Sequence, residues 1–192
     1  MKIPLFPLNV VLFPGGSLPL RIFEPRYLDM VSDCMKSESG VGVILIEEGK
    51  DSGRAAKIND TGTLSFISYW HKRNDGMLGI TLKGEKRFRV LSTEVMPNQL
   101  MLAEVEILPG FKCEDVSYDA DKLIKLLKQI IAQLEPPYTT MDKHYDDLEW
   151  VSARLIELLP LPLKEKQIML NMEVITERLE YLHPLLVSMK MA

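Results

Sequence analysis

What the chain lacks narrows its possibilities first. Only two of its 192 residues are cysteine, Cys34 and Cys113, set far apart and outside any Cys-x-x-Cys pair. They are expected to be reduced core thiols of a cytosolic protein, not a disulfide framework or a zinc knuckle. A chain of this length can bury roughly 70% of its unfolded surface, so it requires neither staple. Long apolar runs are missing too: none reaches the ~18 residues needed to span a bilayer. Residues 1–20 imitate a secretion signal, but Pro4, Pro7, Pro14, Pro19 and Asn9 break the apolar segment and no small-x-small cleavage site follows. The protein is therefore expected to be cytoplasmic, neither exported nor membrane-inserted.

Positive charge is not in excess in either half. Residues 1–110 carry 13 basic and 13 acidic side chains, and residues 111–192 carry 10 and 14. A binder of the phosphate backbone needs a concentrated basic face, so nucleic acid is disfavoured as a partner. Glycine is absent beyond position 110, and all 11 glycines lie within residues 1–110. Turns and bulges need glycine and uninterrupted helices do not, so the boundary between two regions, 1–110 and 111–192, is expected at Pro109-Gly110.

What is present before that boundary is a series of short apolar runs punctuated by turns. Strands are expected at residues 8–13, 18–23 and 41–46, the last apolar throughout. Residues 63–70 and 77–82 flank Asn74-Asp75-Gly76 and should form a hairpin, and residues 86–95 and 100–108 should form another around Pro97-Asn98. In the final strand Met101, Ala103, Val105 and Ile107 alternate with Glu104 and Glu106, so one face is core. Pro25 suits the first turn of a helix running to about Lys36, with Tyr27, Leu28 and Val31 on its apolar side.

After the boundary the period becomes helical. Leu123, Leu127, Ile130 and Leu134 define one helix, and Leu148, Val151, Leu155 and Leu158 a second. Residues 163–172 form a third, and a fourth capped by Asn171 carries Ile175, Leu179, Leu182 and Leu186, with Pro184 kinking or ending it. The fold class expected is α+β: a β-rich half interrupted by one helix, then a four-helix bundle.

Chemistry-bearing motifs do not assemble. Gly79 and Gly84 have phosphate-loop spacing, but Glu85-Lys86 follows where Lys and a hydroxyl residue are required. Gly40-Val41-Gly42 lacks the third glycine of a dinucleotide loop. The hydrolase elbow is absent at Gly15-Gly16-Ser17, and His71, His144 and His183 are scattered. Acids around His144 are read as the start of a helix, where the dipole favours them, and not as metal ligands. No catalytic residue, metal or cofactor is expected. For contact with a partner, the candidates are Tyr69 and Trp70, adjacent aromatics on a strand that are either both packed under a loop or split so that one is exposed, and Arg87 and Arg89, which share a strand face expected to be solvated, around Phe88. Phe13 belongs to the same candidate surface.

Several motifs together resemble the Lon N-terminal domain. They are Pro4-Leu5-Phe6-Pro7-Leu8, Val11-Leu12-Phe13-Pro14-Gly15, Leu18-Pro19-Leu20 and Ile22-Phe23-Glu24-Pro25-Arg26-Tyr27, then Gly62-Thr63, residues 83–90, Leu158-Leu159-Pro160-Leu161-Pro162 and Lys166-Gln167. The resemblance implies a PUA-like β pseudo-barrel followed by helices, and a stand-alone domain without the ATPase and peptidase modules of Lon proteases. It implies recognition of unfolded polypeptide segments or of a specific protein partner, and supplies no catalytic residues. The alternative is an RNA or small-ligand binder on the same pseudo-barrel, using Arg87, Arg89 and Tyr69 or Trp70.

Overall fold

The computed structural model describes residues 1–48, 57–112, 120–136 and 138–189. It is α+β, with six strands in one mixed sheet and five helices among these residues. Two compact units divide the chain, Met1–Pro109 and Gly110–Ala192.

In the first unit β1 (Lys2–Leu8) runs parallel to β3 (Val41–Glu48) and antiparallel to β6 (Met101–Ile107). β2 (Ser17–Ile22) pairs with the first part of β5 (Leu78–Val95), whose length lies against β4 (Lys57–Lys72) and then against β6. The sheet order is β2-β5-β4-β3-β1-β6, and the additional β5–β6 pairing closes the circuit β5-β4-β3-β1-β6. Each strand of that circuit contributes to one core cluster: Ile3 and Leu5 from β1, Ile44, Leu64, Phe88, and Met101, Ala103 and Val105 from β6. A second cluster lies under α1 (Pro25–Ser37), which presents Tyr27, Met30, Val31 and Cys34 at helical spacing to Leu12, Ile22, Val41, Val43, Ile80 and Leu82. Pro25 sits in the first turn, and α1 stops where Glu38 turns left-handed at φ 52° and the Ser39 amide donates to the Cys34 carbonyl.

Two strand expectations change. Residues 77–82 and 86–95 form one continuous strand, β5, because it serves two ladders in succession. The early strand is Lys2–Leu8, and not residues 8–13. Val11, Leu12 and Phe13 are buried without being a strand. This segment lies over the sheet, held by the Thr63 hydroxyl donating to the Leu12 carbonyl and by mutual backbone hydrogen bonds between Gly84 and the Gly15-Gly16 turn. Position 84 must be glycine for this: a Cβ there would stand 2.6 Å from the Phe13 carbonyl oxygen.

The second unit contains α2 (Ala120–Ile131), α3 (Leu148–Leu158), α4 (Leu163–Asn171) and α5 (Ile175–Ser188), with α3 packed against α2 and α5. α2 buries Leu123, Leu127 and Ile131; the chain turns at Ala132, so Leu134 lies beyond it. Asn171 ends α4 and accepts from the Gln167 side chain, and Val174 occupies the cap position of α5. Pro184 does not end α5, which runs on to Ser188. Pro184 and Glu180, whose carbonyl its ring leaves without an amide partner, both lie on the exposed face, so the missing bond costs no buried polar group. Two arginines are wholly buried in this unit. Arg154 Nε lies 2.8 Å from Glu157 Oε2, and Arg178 donates to Ser152 Oγ with its guanidinium 3.7 Å from the Phe111 ring centroid.

Candidate functional site

β4 changes character along its length. Its pairing with β3 begins at Ser65, opposite Val41, and runs back toward Lys57; among the described residues, 66–72 pair with β5 alone. A register shift between Ile67 and Tyr69 marks a bulge at Ser68. Beyond it β4 is the outer strand of a ribbon in the order β2-β5-β4, and both Tyr69 and Trp70 are exposed, at 60% and 57%. Opposite faces of a strand normally divide into wet and buried. Here β5 still buries Ile80, the partner of Trp70, while the outer strand β4 leaves both aromatics uncovered. Tyr69 stacks on His71, with ring centroids 5.4 Å apart.

The ribbon ends in a well-fixed turn. Gly76 adopts φ 81° and its amide donates to the Arg73 carbonyl. Asp75 accepts from the Met77 amide at 3.1 Å and from Arg73 Nε at 3.1 Å, and these bonds, the amide first, hold its carboxyl below the usual carboxylate range. Arg21 from β2 approaches the same carboxylate at 3.9 Å.

Beside the free edge of β4 lies a groove of about 380 Å³ between the ribbon and the C-terminal end of α1. Met35, Phe66, Ile67 and Trp70 give it apolar walls, and Glu38, Ser39 and Ser68 give it polar ones. Cys34 sits at its back, its thiol pushed up by burial against the opposing effect of a hydrogen bond from Ser39. A second, smaller hollow of about 200 Å³ lies where β2 meets α1, with exposed Phe23 at its rim.

The five residues singled out from sequence do not converge. Tyr69 and Trp70 are together at the ribbon. Phe13 is wholly buried, because residues 11–13 are the cover of a sheet face and not an exposed strand end. Arg87 is also buried, at 2% exposure, and donates to the Pro109 carbonyl. It shares its face with Thr63, which is covered, so the expected solvated basic face is not formed. Arg89 is exposed but pairs with Thr61, nine positions along β4 from Trp70. Glu24, at the strand-to-helix corner, pairs with Arg26 at 2.9 Å, and Arg26 donates to the Gln99 carbonyl. The groove itself escaped sequence reading, since α1 and β4 are brought together only by the fold.

The remaining chemistry-bearing residues are dispersed. His144 meets the Trp150 ring edge-on, and Asp147 caps α3 by accepting from the Glu149 amide at 2.8 Å. His183 lies on the exposed side of α5. Among the described residues no group of three His, Cys, Asp or Glu is placed to hold a metal ion, and no helix is long and apolar enough to cross a membrane. Cys113 lies outside the described residues.

Comparison with known proteins gives one answer. Residues 2–188 match the family described as the ATP-dependent protease La (LON) substrate-binding domain. The crystal structure of a Lon N-terminal domain protein from Xanthomonas campestris is 33% identical, covers 96% of this chain and 98% of its own, and superposes with a TM-score of 0.78. The N-terminal domain of a Mycobacterium avium complex Lon protease shares the fold at 15% identity, with a TM-score of 0.60 and coverage of 94% and 95%. A Lon protease of Parabacteroides distasonis is 28% identical over 143 residues, 70% of this chain and 17% of the relative; that of Anaeromyxobacter dehalogenans is 23% identical over 96% of this chain and 23% of the relative. The chain thus spans about a quarter or less of the length of these two full proteases.

Proposed function

The chain belongs to the LON substrate-binding domain family, and from that premise we propose that it is a non-catalytic recognition module for exposed polypeptide segments. The observation that carries this reading is the pair of exposed aromatics, Tyr69 and Trp70, on a strand edge that no other strand covers among the described residues. Large aromatic side chains left in water at an open edge are suited to anchoring a protein partner. The match is to the substrate-binding part of its relatives, and the dispersal of His71, His144 and His183 is in keeping with a role without catalysis.

The same proposal takes the first unit as a PUA-like pseudo-barrel and the second as a four-helix bundle. The closed circuit of five strands and the α2–α3 and α3–α5 packing support it. It has the domain work in the cytoplasm, in keeping with the free buried thiol of Cys34. RNA binding through Arg87 and Arg89 loses its support, because Arg87 is buried.

Fluorescence anisotropy with a labelled, permanently unfolded polypeptide, and with a single-stranded RNA of matched length across a salt series, tests the reading. Saturable binding of the polypeptide but not the RNA is expected. Binding of RNA alone, falling steeply with salt, would overturn it.

A further inference from the structure

Resting on the reading of this protein as a polypeptide-recognition domain, we propose that residues 66–72 of β4 are the docking edge, and that the occupant is one extended segment added as a new antiparallel strand, apolar in its middle and acidic at its N-terminal end. Three observations converge on it. β3 stops at Val41, opposite Ser65, because the chain before it turns away through Gly40 into the end of α1. The backbone of residues 66–72 therefore offers about 23 Å of strand with one side unpaired. The groove beside that edge is lined by Phe66, Ile67, Trp70 and Met35, so side chains on one face of an added strand would be received by apolar walls.

Continuity with β3 sets the direction, and charge then sets which end of the segment is acidic. At the hairpin tip Arg73 and Arg21 share a single carboxylate, Asp75, and exposed Lys72 precedes Arg73 on β4, leaving that end of the edge positive. At the other end Glu38 is the charged residue that lines the groove. A segment continuing the direction of β3, antiparallel to β4, has its N-terminus at the tip and its C-terminus beside Glu38. Acidic residues at its start and a basic one at its end would complement both. A strand added in parallel would need the reverse order, and lacks the continuity with β3.

The test uses fluorescein-labelled nine-residue peptides of alternating valine and threonine, one with two aspartates at the N-terminus and lysine at the C-terminus, the other with the order reversed. The first should bind about threefold tighter at low salt, and Lys72→Glu with Arg73→Glu should invert the preference. Methylating alternate backbone amides should weaken binding at least about tenfold in one register and spare the other, because only every second amide faces the protein. Trp70→Ala should weaken the peptide by a similar factor while far-ultraviolet circular dichroism stays unchanged. Equal binding of both methylated registers, or of both charge orders, overturns the edge assignment. An unfolded polypeptide run in parallel separates the two levels: if it binds wild type and Trp70→Ala alike, the edge is wrong and the recognition function stands; if it does not bind wild type at all, both fall.

Discussion

Within residues 62–65, β4 has a strand on each side, and Thr63 and Ser65 are buried hydroxyl residues on one face with Leu64 in the core on the other. Over residues 66–72 the same strand has one neighbour, and its side chains grow progressively more exposed. Both stretches are rich in the β-branched and aromatic residues that strands favour. The difference is therefore one of surroundings and not of propensity. The inner stretch is stabilised by what closes around it, and the outer stretch is held out by the turn at Asp75-Gly76 and by β5.

That contrast can be broken most forcefully from the inside. Phe88 pairs with Gly62, is wholly buried and reaches into the closed strand circuit, so Phe88→Ala should destabilise the protein by about 3–5 kcal/mol in urea unfolding. Gly84→Ala places a methyl group against the Phe13 carbonyl and should cost about 2 kcal/mol by the same measurement. Thr63→Val keeps the shape but leaves the buried Leu12 carbonyl without its donor, a loss of about 1 kcal/mol. Trp70→Ala sharpens the comparison from the other side: thermal and urea midpoints should shift by less than the equivalent of ~0.5 kcal/mol, although the exposed ring is large. A Trp70→Ala protein destabilised as strongly as Thr63→Val would show that the ribbon is part of the core after all.

Local chemistry made much of this fold legible. Pro25 marked the start of α1, alternation of Met101, Ala103 and Val105 with Glu104 and Glu106 marked β6, and Asp75-Gly76 marked the hairpin. The failures have a common physical source. Val11, Leu12 and Phe13 are apolar enough for a strand, yet their burial comes from lying across a sheet built mostly from later residues. Arg87 read as a solvated strand residue because no local signal reports that a distant segment will cover Thr63 beside it. The two buried arginines of the second unit are equally silent in sequence, since their partners, Ser152 and Phe111 for Arg178, meet them only in the folded unit. For the candidate site, Tyr69 and Trp70 were visible as aromatics, but the groove depends on where β3 stops. Phe13 and Arg87 dropped out for the same reason that they were buried.

The closed circuit also sets an order of events during synthesis. β1 finds its parallel partner β3 some forty residues later, but its other neighbour, β6, lies about a hundred residues away, with Lys2 opposite Glu104. At ribosomal speeds of ~5–20 residues per second, β1 waits roughly 5–20 s before that side can be covered. Contacts of such sequence separation slow folding, because a long loop must close before they form. During that interval the nascent chain displays an unpaired apolar edge of its own, the kind of surface that the finished domain is proposed to recognise in others.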